Sequence, residues 1–279
     1  MKFSKKFFLH IGAGKTGSTS LQKFLYNNKD IFEKYNFYFP KTGQIFPGII
    51  SHHNISYELN NDSNYEPLNG TYKELLQEVS SINKNIIISS EDFIDCLNNK
   101  SKLSKINNDL TEIGFEVIFI IYIRFDYAYL RSIFFELKKN KKLNYLKLFI
   151  FLKKAFKNGY YTFDNRKIIL NHKKLIYLLK QYKINFSSIN YERNKKDIFK
   201  PFLTEIFSDE KNKVSFDKFN YDFKHYNKFK RNFFQPLRLF SYFILTIAGY
   251  FFSLIVKKNW LISTIDLTIK KCFAVKDFF

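Results

Sequence analysis

The chain has 279 residues, of which 46% are hydrophobic and 25% charged, with a formal net charge of +21 and a pI of about 9.7. This composition excludes a disordered chain and allows one α/β domain with an appended region. The positive charge favours anionic partners, although Lys, Asn, Ile, Phe and Tyr also share AT-rich codons, a bias that accounts for roughly half of the excess. Cys96 and Cys272 have no metal-ligand spacing and form no disulfide framework, so a reducing compartment is expected.

The first predicted element is a short apolar run, Phe7–Ile11, which ends at Gly12 and is typical of a buried parallel strand. This run is too short for a signal peptide and leads directly into a glycine-containing loop, so we expect the chain to stay in the cytoplasm. Ser18–Asn27 follows with apolar residues at helical spacing and predicts a helix.

The rest of the N-terminal part predicts alternating strands and helices. Lys41–Asn69 is rich in Asn, Ser, Gly and His and predicts a long loop, and loops of that length are often functional. Glu116–Ile123 is the most apolar strand and is expected at the centre of the sheet. The alternation predicts an α/β fold, with a central parallel sheet between two helix layers. Further strands are predicted at Asn85–Ser90 and Ile184–Tyr191, and further helices at Thr71–Ile82, Leu103–Ile113, Asp126–Lys139 and Asp197–Phe207.

The composition changes near residue 216, beyond which Lys and aromatic residues are frequent. Residues 239–256 carry no charge and are bracketed by basic residues. This length is near the lower limit of roughly 18 residues for a membrane-spanning helix. A buried helix is the alternative, and we favour membrane contact. We therefore predict a domain at 1–215 and a helical, basic and aromatic region at 216–279, associated with a membrane through 239–256.

The stretch GAGKTGSTS has the composition of a phosphate-binding loop. Glycines let the backbone approach an anion, the following helix N-terminus presents N–H groups, and Lys15 adds a full charge. The triphosphate loop G-x-x-x-x-G-K-[ST] is not matched, because Leu9 stands where its first glycine belongs. The structural alternative is a glycine turn with ordinary capping residues. We assign anion binding to a run of seven residues, namely Gly14, Lys15, Thr16, Gly17, Ser18, Thr19 and Ser20.

A second anion site is predicted at the carboxyl end of the most apolar strand. Arg124 follows that strand and Ser132 lies eight residues further on, in the next predicted helix. A guanidinium and a hydroxyl at the carboxyl edge of a parallel sheet suit a second phosphate. The structural alternative is an arginine paired with Asp126 or Glu136.

Glu91, after the strand IIISS, is the first candidate for a general base. A carboxylate among phosphate-binding groups is unfavourable unless it has a task, such as accepting the proton of a hydroxyl nucleophile. The alternatives are helix capping together with Asp92, or charge pairing with a basic residue of the two phosphate sites. His52 and His53, in SHHNISYEL, are the rival bases because neutral imidazole suits that role at physiological pH.

Three stretches carry a resemblance to a known family. GAGKTGSTSLQKFL resembles the 5′-phosphosulfate loop of the sulfotransferases, K-[ST]-G-[ST]-[ST], in the style of bacterial members that read HIG-x-x-KTG-[ST]-[ST]-S-L-Q. IRFDYAYLRS resembles that family's 3′-phosphate motif, and INYERNKKDIFKPFL is similar to its strand ending in Tyr-Glu. The resemblance covers roughly Phe7–Phe207 and implies a P-loop NTPase-like sulfotransferase fold. The family's late glycine-and-lysine motif has no clear counterpart, since KFKRNFF at 228–234 is only a loose substitute.

By this resemblance the donor is 3′-phosphoadenosine 5′-phosphosulfate (PAPS), and no metal is required. Lys15 and the loop from Gly17 to Ser20 would hold the 5′-phosphosulfate, and Lys15 would neutralise the leaving phosphate. Arg124 with Ser132 would bind the 3′-phosphate, and Tyr191 the adenine. Glu91 would occupy the strand-end position where cytosolic members carry a catalytic histidine.

The acceptor is expected to be a glycan hydroxyl, on a surface polysaccharide or a glycolipid. The predicted loop and the segment 138–158 are basic or aromatic, and such residues attract acidic polymers and stack on sugar rings. One alternative is a P-loop kinase or nucleotide triphosphatase. Another is a non-enzymatic basic protein that binds nucleic acid or a membrane surface, although no recognisable nucleic-acid module is present.

Overall fold

A computed structural model describes residues 5–12, 14–124, 126–139, 148–163, 166–210 and 214–221. Its main sheet has five strands in the order β2-β3-β1-β4-β7, and every neighbouring pair is parallel. Two further strands, β5 and β6, form a separate sheet. The strands are β1 Lys5–Ile11, β2 Phe37–Tyr38, β3 Asn85–Ser90, β4 Phe115–Ile123, β5 Tyr160–Phe163, β6 Arg166–Ile169 and β7 Phe186–Asn190.

Helices follow most of the strands, as parallel pairing requires a crossover between neighbouring strands. A 3₁₀ helix, Glu91–Asn98, directly continues β3. The α-helices are α1 Ser18–Asn27, α2 Lys29–Lys34, α3 His53–Asn60, α4 Tyr72–Ser80, α5 Lys100–Glu112, α6 Asp126–Lys139, α7 Leu148–Asn158, α8 His172–Gln181, α9 Tyr191–Asn194 and α10 Phe199–Ile206.

The sheet buries both of its faces. On one face, side chains of the inner strands such as Phe8 and Tyr122 pack with α1 and α10 in a single apolar cluster. Phe24 of α1 stacks on Phe199 of α10, with ring centroids 4.4 Å apart. Helix α5 packs against β4 and buries Leu103, Ile106 and Leu110. The predicted α/β class with a parallel sheet flanked by helices is therefore confirmed.

Two compact units are present. Among the described residues, the first comprises those up to Tyr129 and from Thr162 onward, and it contains the five-stranded sheet. The second comprises the described residues of Leu130–Tyr161. Within the described part of the second unit, the Phe151 ring lies 5.9 Å from that of Phe134 and 5.1 Å from that of Tyr161.

The predicted C-terminal region reaches the described residues only at its start, through Tyr221. The candidate membrane helix at 239–256 lies outside them. None of the helices in the described ranges has the length and apolarity needed to span a bilayer. The domain boundary and the membrane association stay predictions.

The expected interior position of Glu116–Ile123 agrees with the structure, since β4 pairs with β1 on one side and with β7 on the other. One detail of the fold differs from the sequence-based expectation. The expected loop at 41–69 contains helix α3, although its composition is polar. Tertiary contacts stabilise this helix, because Ile55 is fully buried and Asn54 donates from Nδ2 to the carbonyls of Glu66 and Gly70.

Candidate functional site

Parallel pairing brings three strand ends to one edge of the sheet. Ile11 of β1 pairs with Ser90 of β3 on one side and with Ile121 of β4 on the other. The segments that follow these strands therefore begin at the same edge. In sheets of this kind, ligands bind in the crevice outside the carboxyl ends of the strands.

Gly12 lets the backbone of the loop lie close to the start of α1 and to the turn after β3. A Cβ atom on Gly12 would lie 2.4 Å from Ser18 Oγ and 2.8 Å from Glu91 Cβ. Only glycine therefore lets the loop, the start of α1 and the turn after β3 meet at this point. The sequence-predicted residues Ser18 and Glu91 are brought together by this contact.

The loop before α1 turns through two left-handed residues, Lys15 with φ 67° and Gly17 with φ 87°. Gly17 is the N-cap of α1, and no side chain caps the helix. Ser18 is only 5% exposed, and its Oγ has no hydrogen-bond partner among the described residues. Thr16 is buried, while Thr19 is exposed on the first turn. An uncapped helix N-terminus with an orphaned hydroxyl is suited to receive an anion.

Arg124 ties the end of β4 to this loop. Its Nη1 donates to the Lys15 carbonyl at 3.0 Å, and its Nε donates to Glu192 Oε1 at 2.8 Å. The Arg124 and Glu192 side chains are 14% and 15% exposed, so their ion pair is largely shielded from water. The sequence indicated an ion pair as the structural alternative for Arg124, and the carboxylate at 2.8 Å belongs to Glu192, on α9.

Tyr191 lies beside the same loop. Its ring centroid is 5.1 Å from Arg124 Cζ, and its Cε2 is 3.6 Å from where a Cβ on Gly17 would be. The structure therefore brings Lys15, Gly17, Arg124 and Tyr191 together. The role of Tyr191 toward adenine stays a prediction.

Sequence reasoning missed two residues of this group, Glu192 and His172. The backbone N–H of Arg124 donates to His172 Nδ1 at 2.8 Å, and the His172 ring packs 4.4 Å from that of Tyr129. The available signals were the Tyr-Glu pair after β7, of which only Tyr191 received a role, and the Asn-His pair at the junction of β6 and α8. Both residues bond to Arg124 and so orient it, but neither lies in the glycine-containing loop that the sequence singled out.

Glu91 is the first residue of the 3₁₀ helix after β3. The cap of this helix is Ser90, whose Oγ accepts from the N–H of Asp92 at 3.2 Å. Burial, with the nearby carboxylates of Glu91 and Asp95, raises the pKa of Tyr129. Glu91 lies at the loop as expected, since its Cβ is 2.8 Å from where a Cβ on Gly12 would be. Its role as a base stays a prediction.

His52 does not fit the role of a base. Its Nδ1 accepts from the Ser89 backbone N–H at 3.2 Å, so the ring must carry its proton on Nε2, which donates to the Pro40 carbonyl at 3.0 Å. The ring is fully buried, and burial lowers its pKa to about 4. Because both nitrogens bond to backbone groups, this geometry argues against His52 as a base, and the histidine holds the loop against β3.

His53, the next residue, has a different environment. Its Nδ1 lies 2.6 Å from Asp92 Oδ2 and 2.9 Å from Ser90 Oγ. Ser90 Oγ is also 3.3 Å from Ser56 Oγ, which donates to the His53 carbonyl at 2.8 Å. The rings of Phe46 and Tyr57 flank the imidazole at 5.6 and 6.1 Å. His53 thus stands at the carboxyl end of β3, in contact with Ser90 and Asp92.

Ser132 lies on α6 within the second compact unit, and its share in a phosphate site stays a prediction. Across the described ranges, no group of three or more His, Cys, Asp or Glu side chains is arranged to hold a metal ion.

No family model matches the chain, and no curated protein matches it. A solved structure of a sulfotransferase from Alicyclobacillus acidocaldarius is similar to it, with 14% sequence identity and a TM-score of 0.42. The similarity covers 74% of this chain and 80% of that one. At this identity and TM-score it carries no conclusion about donor, acceptor or reaction.

Proposed function

We propose that the protein transfers a sulfuryl group from PAPS to a hydroxyl group, on a saccharide acceptor. The observation that carries this proposal is the orphaned, buried Ser18 Oγ at the uncapped N-terminus of α1. A buried polar group without a partner costs about 1–3 kcal/mol. This cost falls at a place where helix N–H groups, a glycine turn and Lys15 also occur together, which favours a site for an anionic ligand.

The shape of the loop supports a phosphosulfate rather than a triphosphate. Leu9 is a fully buried residue of β1, so the loop begins only at Gly12 and is shorter than the nucleotide-triphosphate loop. A short loop suits the two linked tetrahedral groups of a phosphosulfate better than the three of a triphosphate. In sulfuryl transfer, which resembles phosphoryl transfer, the helix N–H groups and Lys15 would stabilise the charge that grows on the leaving phosphate oxygen.

Arg124 and Tyr191 are the residues proposed to bind the nucleotide end of the donor. They lie next to each other on the side of the loop marked by Gly17. A guanidinium next to an aromatic ring provides one cationic and one stacking surface, as an adenosine 3′-phosphate requires.

The acceptor side is formed by the region around α3. Phe46 is 49% exposed, and its ring lies beside that of His53. Exposed aromatic rings stack on sugar faces, which favours a saccharide hydroxyl. A membrane-bound glycan as acceptor, and a membrane surface as partner, would follow if residues 239–256 bind lipid. Specific nucleic-acid binding is not part of the proposal.

Calorimetric titration with adenosine 3′,5′-bisphosphate, compared with ATP and Mg²⁺, tests the proposal. Metal-independent binding of the bisphosphate is expected, because it carries the two phosphates that the loop and Arg124 would hold. Preferential binding of ATP with Mg²⁺ would instead support a kinase or nucleotide triphosphatase. Binding of neither nucleotide, with sequence-selective nucleic-acid affinity at high salt, would support a binding protein.

A further inference from the structure

The hydrogen bonds around His53 define its tautomer. A carboxylate only accepts hydrogen bonds, so the 2.6 Å contact of Asp92 Oδ2 requires the proton on His53 Nδ1. Ser90 Oγ then accepts from Asp92 N–H and faces the same Nδ1–H, while its own proton is directed at Ser56 Oγ. Ser56 in turn donates to the His53 carbonyl. The other tautomer would place the Nδ1 lone pair 2.6 Å from a carboxylate oxygen, which is repulsive, so the contact with Asp92 selects this arrangement.

This tautomer leaves the lone pair of the neutral ring on Nε2. Within the described chain, Nε2 of His53 makes no hydrogen bond, whereas both nitrogens of His52 are bonded to backbone groups. The His53 side chain retains 9% of its surface exposed, and the exposed Phe46 ring lies next to it. One ring nitrogen is held by a carboxylate, and the other has no hydrogen bond among the described residues. This is the arrangement of an oriented general base.

The position of the cluster relates it to the phosphate loop. Ser90 is the last residue of β3 and pairs with Ile11, directly before Gly12. The Ser90 carbonyl accepts from the Gly12 N–H at 3.4 Å. His53, bonded to Ser90 Oγ, therefore stands at the same sheet edge as the loop, on the side of β3 next to the acceptor region.

We propose that His53 and Asp92 form a catalytic dyad in which His53 Nε2 takes the proton of the acceptor hydroxyl. This rests on the proposed function. The acceptor oxygen forms a bond to sulfur as its proton passes to Nε2, and the bond from sulfur to the 5′-phosphate oxygen breaks. Adenosine 3′,5′-bisphosphate leaves with that electron pair. Asp92 is a positioning residue that stabilises the imidazolium, which then releases its proton to solvent. Glu91, in this scheme, is not the base.

Nuclear magnetic resonance on the full chain labelled with ¹⁵N-histidine tests the tautomer independently of turnover. At mildly alkaline pH, His53 is expected to carry its proton on Nδ1, and Asp92→Asn is expected to shift it toward a tautomer mixture. His53→Gln assigns the signal. A neutral wild-type His53 protonated on Nε2 would overturn the dyad.

Release of adenosine 3′,5′-bisphosphate from PAPS tests the catalytic role, with water as the acceptor and with simple methyl glycosides as added probes. His53→Gln is expected to lower kcat by about 10²–10⁴-fold, because a general base contributes that much. Bisphosphate affinity should stay unchanged, which also shows that the variant is folded. Asp92→Asn should lower kcat with little change in the KM for PAPS.

Two control variants separate the alternatives. Asp209→Asn makes the same chemical change at a side chain that is 70% exposed, and it should keep the wild-type rate. Glu91→Gln tests the rival base. If His53→Gln kept full turnover while Glu91→Gln lost it, the dyad would be overturned and the proposed function would stand. A wild-type chain that neither binds the bisphosphate nor releases it from PAPS would overturn the proposed function, and with it this role of His53.

Discussion

Arg124 donates from Nη1 to the carbonyl of Lys15, which joins the end of β4 to a left-handed residue of the loop before α1. A non-glycine residue in this conformation costs roughly 1–2 kcal/mol. The bond to Arg124, with the Glu192 pair behind it, offsets part of this cost. The loop is therefore held in shape partly by its own glycines and partly from the neighbouring strand.

Arg124→Lys is expected to weaken adenosine 3′,5′-bisphosphate binding and to lower the free energy of unfolding by about 1–3 kcal/mol. Lysine cannot form both bonds of the planar guanidinium. Calorimetry and denaturant unfolding measure the two effects. Lys195→Ala is the control, because Lys195 contacts the same Glu192 at 3.7 Å but is 45% exposed, and its loss should cost less than about 1 kcal/mol. Equal effects of both variants would contradict this role of Arg124.

Ser18→Ala is expected to leave the stability of the ligand-free protein unchanged or higher, because the lost hydroxyl has no partner among the described residues. Bisphosphate binding should weaken by the loss of one hydrogen bond to a charged group, about 1.5–3 kcal/mol. Calorimetry measures the affinity and thermal unfolding the stability.

Ser51→Ala is a matched control for this change. Ser51 is fully buried, and its Oγ likewise has no partner among the described residues, but it lies between Ile50 and His52 rather than on the loop. Both variants should behave alike in unfolding, and only Ser18→Ala should lose affinity. Equal affinities in the two variants would show that Ser18 Oγ does not face the ligand.

Gly12→Ala is expected to abolish bisphosphate binding and to destabilise the fold, because its Cβ would lie 2.8 Å from Glu91 Cβ. Gly48→Ala is the comparison, since Gly48 has φ +76° but nothing within 4 Å of its added Cβ. The Gly48 variant should show only the cost of backbone strain and should bind normally. Unfolding by denaturant and calorimetric titration distinguish the two, and normal binding by Gly12→Ala would contradict the site.

Stability should fall as the pH is lowered from about 6.5 toward 4. Burial lowers the pKa of His10 to about 3 and that of His52 to about 4, from 6.5 in the unfolded chain. The unfolded chain therefore binds more protons in this interval, which costs up to ~1.4 kcal/mol per pH unit for each histidine. His52→Gln should reduce the slope of the unfolding free energy against pH by up to ~1.4 kcal/mol per pH unit, which corresponds to one proton. An unchanged slope would mean that His52 is not buried as a neutral ring.

Asn54→Ala is expected to lower the free energy of unfolding by about 1–3 kcal/mol. The amide of Asn54 is fully buried and bonds to Gly70 at 2.7 Å and to Glu66 at 2.9 and 3.0 Å. Asn64→Ala, which removes an exposed amide bonded to Asp62, should stay within about 0.5 kcal/mol of wild type. Denaturant unfolding of the two variants checks this contrast.

The sequence predicted what local patterns determine. The apolar run before Gly12 and the helical spacing after it placed β1 and α1, and the bounds of α1 and α6 agree with the prediction. The loop residues were selected because their composition is typical of anion binding, and that role stays a prediction. The sheet order was not accessible in this way, since it depends on which parallel neighbours each strand selects.

Residues whose role depends on distant partners were harder to predict. Glu192 and His172 act on Arg124 across 68 and 48 positions of the chain. His52 and His53 are adjacent and chemically identical, yet one is bonded to backbone groups and the other to Asp92. Only the docking of α3 on β3 distinguishes them, and no local pattern records that docking.

The contact between His53 and Asp92 joins segments 39 positions apart, one on α3 and one after β3. The pair therefore exists only while α3 remains docked. Local unfolding of the segment from 41 to 70 would dismantle the proposed proton acceptor while the sheet and the loop before α1 stay folded. Native-state hydrogen exchange of the α3 amides thus reports the fraction of molecules that are competent for turnover, separately from the fraction that can bind the nucleotide.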